Sequence, residues 1–175
     1  MNYKEEIKKS VEQISTDKVV HIGYGLLTPG RGGGSLKAVA DSKIVETPVA
    51  ENLMLGLAIG MSFEDYLPVV YYERFDFIMN AMDALVNHLD KLEEISEGEF
   101  KPKVIIRCVI GGKKSPFFTG VTHTQDFEQA LKLLVKIPIY KLGSVDSINS
   151  TFLQCYSSDR SSIVIEEKDR YAESI

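Results

Sequence analysis

The sequence predicts a three-layer α/β domain: a mostly parallel sheet with helices on both faces. β-branched runs alternate with amphipathic stretches along the chain, and residues 103–110, "KVIIRCVI", are apolar almost throughout, as in a strand buried on both faces. At 175 residues and 44% hydrophobic the chain can bury one full core, and no composition shift marks a linker, so 1–175 reads as a single domain.

The elements follow in order. Ile7, Val11 and Ile14, at spacings of four and three in a polar segment, predict an amphipathic first helix, and "KVVHIGYG" (18–25) a strand after it. A Gly- and Pro-rich stretch (26–42) leads to a short extended piece at Ile44 and Val45, a helix over 50–63, and the aromatic strand "LPVVYYER" (67–74). A second helix is predicted over 76–92 from Ile78, Met82, Leu85, Leu89 and Leu92, whose 4-3-4-3 spacing forms a seam suited to a core face or to packing between two chains. After 103–110 come a Gly/Lys/Pro loop (111–122), a helix from about Gln125, a short strand near 137–140, another helix, and the strand "SSIVIEE" (161–167).

Bulk properties narrow the function. A net charge of −5 and a pI near 5.3 give no long-range attraction to phosphate backbones or anionic lipid, so neither nucleic acid nor a membrane surface is an expected partner. Cys108 and Cys155 stand far apart without C-x-x-C spacing and read as buried thiols, so no structural metal is expected. The first residues are charged, unlike a signal peptide, and no run approaches the ~20 apolar residues needed to span a bilayer. These features predict a cytoplasmic location.

Several residues invite chemistry. The loop from Gly23 to Gly30 follows a strand, but a dinucleotide motif needs glycine where Thr28 stands, and Pro29 disturbs the receiving helix. No G-x-x-x-x-G-K-[ST] run exists and no G-x-S-x-G elbow. Glu51, one residue ahead of an apolar run, reads either as a first-turn acid of a helix with Thr47 as N-cap and Pro48 at its start, or as a functional carboxylate. His123 lies between a glycine-containing loop and a helix start, where side chains reach clefts at the carboxyl ends of parallel strands. His21 and His88 are assigned to structure.

The T-P-x-x-E element ending at Glu51, the aromatic end of strand 67–74, the F-x-x-x-A-x-D helix and the H-T-Q loop at His123, in this order, resemble the pyrimidine-binding domain of thiamine-diphosphate enzymes. That domain occurs in the beta chain of the decarboxylating component of 2-oxoacid dehydrogenases and in the central domain of transketolase. The resemblance implies that Glu51 hydrogen-bonds the aminopyrimidine ring nitrogen and favours its imino tautomer, so that the cofactor acts as its own base. It implies that Phe75 or Tyr72 stacks on the pyrimidine, and that His123 donates to charge developing at the reacting carbon. Arg74, between the two aromatics, departs from the pattern.

The resemblance further implies a split enzyme acting on a 2-oxoacid or ketose-like donor, an oxidoreductase or transferase. Thiamine diphosphate is then shared with a companion chain that holds the diphosphate and Mg²⁺, since no G-D-G motif occurs here. The chain is expected to be inactive alone and to assemble as a homodimer or heterotetramer through the 76–92 helix. The alternative is a non-catalytic binding or oligomerisation module derived from the same fold.

Overall fold

The computed structural model describes residues 2–114 and 118–173. Helix α1 (Tyr3–Ile14) opens on a reciprocal cap: Asn2 Oδ1 accepts from the Glu5 N–H at 2.9 Å, and the Glu5 carboxylate accepts from the Asn2 N–H at 3.0 Å. There follow β1 (Val19–Gly23), β2 (Ile44–Glu46), α2 (Glu51–Met61) and β3 (Leu67–Tyr72). A 3₁₀ stretch (Phe75–Ala81), a π-helical stretch (Asp83–Leu89) and the short α3 (Leu92–Ile95) lead to β4 (Ile105–Ile110). The chain continues through α4 (Glu128–Leu134), β5 (Ile139–Lys141), α5 (Val145–Ser157) and β6 (Ser162–Glu167).

The six strands form one sheet in the order β2-β1-β3-β4-β6-β5, and every pairing is parallel. The expected parallel α/β sheet is therefore parallel throughout. Successive strand residues face opposite sides. Val69 and Tyr71 join α1 and α5 in one apolar cluster, whereas Val70 and Tyr72 join α2, the 3₁₀ and π stretches and α4 in the other. Cys108 and Cys155 are buried and free, as read from their spacing. Among the described residues no helix is long and apolar enough to cross a membrane.

The predicted 76–92 helix is not a regular α-helix. The Ala84 N–H donates to Asn52 Oδ1 of α2 at 3.1 Å, which takes it out of the helical ladder where the 3₁₀ stretch gives way to the wider π turn. The seam nevertheless stays on one side: Ile78, Leu85 and Leu89 are buried in the chain's own core, with Met82 and Leu92 packed against it. It is thus filled from within and does not present the apolar face expected for pairing with another chain.

Candidate functional site

The carboxyl ends of β1, β2, β3 and β4 surround a cavity of about 250 Å³, lined by Tyr24, Val49, Glu51, Met54, Tyr71, Tyr72, Glu73, Arg74, Phe77 and His123. Beyond β1 the chain goes to β2 on one side and β3 pairs on the other. The cavity therefore sits at a topological switch point, where open parallel sheets leave a crevice. A larger hollow of about 490 Å³ lies at the opposite end, beside Pro102, Ile137 and Ser161 ahead of the strands. Its acids and bases largely pair with one another, as in Lys136–Glu94 and Lys101–Glu93, which suits a solvated surface better than a reaction site.

Glu51 is the first residue of α2, and Ala50 caps the helix without a side-chain bond. The alternative start, with Thr47 as cap and Pro48 as first helical residue, is not what forms. The Thr47 N–H instead continues the β1 pairing to the Gly23 carbonyl at 3.0 Å. Glu51 is 8% exposed and its Oε2 has Asn80 Nδ2 at 3.4 Å, while the nearby Arg74 is ion-paired to Glu73. A buried carboxylate with one long hydrogen bond keeps acceptor capacity for something entering the cavity.

Tyr72 lines the same cavity, but its hydroxyl donates to the Glu51 carbonyl at 2.9 Å, tying the end of β3 to the start of α2. Burial first, then Cys108 and Glu51, holds that phenol protonated well above its ordinary range. Phe75 is not brought to the cavity: it is fully buried, with its ring 5.8 Å edge-on to Phe127. Phe77 lines the wall in its place, its ring 5.5 Å from His123 at 83°. His123 is half-buried, with Nδ1 2.9 Å from Thr122 Oγ1 and its carbonyl accepting from the Gly111 N–H at 3.1 Å.

Tyr24, Met54 and Asn80 complete the site without having been picked out from sequence. Phe77 was named there only as the first letter of the F-x-x-x-A-x-D helix, with no role given to its ring. Buried polar atoms without a hydrogen-bond partner among the described residues include Thr47 Oγ1, Arg74 Nε and Asp76 Oδ2, all on segments bordering the cavity. The glycine loop is closed to phosphate by its own chain: the Glu46 carboxylate accepts from the Gly25 N–H at 2.5 Å and the Leu27 N–H at 2.8 Å. No group of three His, Cys, Asp or Glu able to hold a metal ion occurs among the described residues.

No family model matches the chain. It is 24% identical over 168 residues to a pyruvate dehydrogenase E1 component subunit beta from Rickettsia conorii, covering 93% of this chain and 50% of the relative. It is 32% identical over 94 residues to the mitochondrial subunit of the same name from Saccharomyces cerevisiae, covering 54% of this chain and 25% of the relative. The chain spans about half the length or less of the curated relatives it matches. Among solved structures, a split-gene transketolase described as an inactive beta4 tetramer superposes with a TM-score of 0.76 at 14% identity, covering 100% of this chain and 53% of its own.

Proposed function

Because the chain has the fold of a transketolase-like pyrimidine-binding domain and is related in sequence to E1 beta subunits, we propose that it is the pyrimidine-binding subunit of a split thiamine-diphosphate enzyme. Its donor substrate in this reading is a 2-oxoacid or a ketose-like compound. The observation that carries the reading is Glu51: a buried carboxylate, not ion-paired among the described residues, on the wall of an aromatic-lined cavity at a switch point.

The cavity fits one end of that cofactor. Glu51 would hold the aminopyrimidine ring nitrogen by a hydrogen bond, while Tyr72 fixes the start of α2 so that the side chain keeps its place. Phe77 and Met54 supply the apolar wall for a flat heteroaromatic ring, and His123 stands beside it as a donor to developing negative charge. Thiamine diphosphate, when bound, would supply the nucleophilic-carbon chemistry that a donor carbonyl requires. Among the described residues that line the cavity, the one Lys or Arg is Arg74, and it is tied to Glu73, which favours assigning the diphosphate and Mg²⁺ to a companion chain. A cytoplasmic location belongs to the same reading.

The outer face of α2 supports the companion. Val49, Leu53 and Leu57 are exposed, Gly56 and Gly60 leave open space between them, and Val49 also lines the cavity. This face, rather than the 76–92 seam, offers an apolar surface at the cavity mouth.

The test is to assemble the chain with a companion carrying the diphosphate and Mg²⁺ motif, then measure thiamine-diphosphate binding by calorimetry and turnover of 2-oxoacids and ketose donors. Glu51→Gln is expected to lower kcat on the order of 10²–10⁴-fold. An active complex indifferent to this change sinks the catalytic reading. Absence of binding heat at any companion concentration establishes the non-catalytic module instead.

A further inference from the structure

His123 is carried by a long connection between β4 and α4, and its place beside the cavity depends on what that connection grips. Three side-chain contacts join it to the 3₁₀ stretch, and they fall in antiparallel register. Phe127 meets Phe75 edge-on at 5.8 Å, Gln125 Nε2 donates to Asp76 Oδ1 at 2.8 Å, and His123 meets Phe77 at 5.5 Å. Among the described residues, the middle contact is the one hydrogen bond from residues 118–127 to residues 75–81. Gln125 and Asp76 do not line the cavity.

We propose that Gln125 and Asp76 are positioning residues, whose hydrogen bond sets the register of these contacts and thereby holds the His123 ring against Phe77. Aromatic edge contacts tolerate sliding, because a ring presents a broad apolar surface. A charge-assisted hydrogen bond is directional and shorter in reach, so the polar contact selects one register from several. Backbone bonds of the loop, Gly111 N–H to the His123 carbonyl and His123 N–H to the Gly120 carbonyl, fix its curvature but make no contact with the Phe77 segment. The inference rests on the proposed role of His123 for its functional meaning, though not for its test.

The test is NMR on the chain alone, labelled at histidine and phenylalanine rings, with no cofactor or companion present. The wild-type chain is expected to show a nuclear Overhauser contact between the His123 and Phe77 rings. Gln125→Leu loses it, and the His123 ring carbons move to the values of a free histidine, while amide signals of β3 and β4 stay in place. Asp76→Asn, which keeps the Oδ1 acceptor, retains the contact, and Asp76→Leu loses it. Pairing Asp76→Asn with Gln125→Glu reverses donor and acceptor and also retains it, which covers the case in which Asp76→Leu fails to fold. Retention of the ring contact in Gln125→Leu, or its loss in Asp76→Asn, overturns the proposal. Neither result bears on whether Glu51 engages thiamine diphosphate.

Discussion

The His21 imidazole has Nε2 2.8 Å from Ser15 Oγ, and that hydroxyl donates its own proton to the Val11 carbonyl at 2.6 Å. Ser15 therefore accepts from an Nε2–H, which leaves Nδ1 a bare acceptor with no partner among the described residues. Burial, then the charges of Arg107 and Lys43, pushes the His21 pKa from 6.5 down to about 3. The unfolded chain thus takes up this proton first. The group's contribution is fully present above pH 6.5 and is lost as pH falls toward 3, with a slope of up to about 1.4 kcal/mol per pH unit. Urea unfolding at several pH values is expected to show a shallower acid loss for His21→Gln than for the wild-type chain; parallel curves contradict the assignment. At this scale the placement of Glu51 and His123 at the cavity was legible, because motif and strand order together fix where each side chain emerges. The placement of Phe75 was not. Residues 75 and 78 lie three apart in a 3₁₀ turn and so share its inner face, which buries Phe75 and Ile78 together and leaves Phe77 facing the cavity. The 4-3 seam carried back three residues from Ile78 also lands on Phe75, but the helix expected from sequence began only at 76.

Elements were legible where apolar periodicity alone decides them, as in α1, with Ile7, Val11 and Ile14 all buried, and β4, buried along its whole length. The 76–92 segment was legible only in its buried face. A tight 3₁₀ stretch followed by a wide π stretch keeps the 4-3-4-3 seam on the core side, so the pattern matches an α-helix while the ladder does not. What interrupts the ladder is a side chain from another element, Asn52, and no reading of 76–92 in isolation contains it. Asn52→Ala removes the acceptor for the Ala84 N–H and is expected to destabilise the chain by about 1–3 kcal/mol, read from the denaturant midpoint. It also offers the segment a chance to rewind. Protection of the Ala84 amide against hydrogen exchange reports which occurs, and an unchanged midpoint with unchanged protection contradicts the assigned role of Asn52.

At the scale of the whole molecule, the alternation of strands and helices was enough to read an α/β sheet with two covered faces. The buried cross-strand pair was not in that reading: Arg107 of β4 meets Glu166 of β6 at 2.6 Å, with Ser35 accepting from the same guanidinium and Tyr171 donating to Glu166 at 3.0 Å. An arginine in an otherwise apolar strand finds its acid only once β6 is placed beside β4. The same adjacency has a kinetic side. In a sheet whose six strands all run one way, no two neighbours can be joined by a hairpin, so no pair can zip up from a local nucleus. Every pairing waits for a crossover to close, and β1 must accept β3 on one edge and β2 on the other before the centre is assembled. Refolding from denaturant is accordingly expected on the millisecond-to-second scale of non-local topologies rather than in microseconds, as stopped-flow fluorescence of its tyrosines can time. Until those crossovers close, the central strands expose their apolar edges, so the yield of refolded chain should fall as its concentration rises.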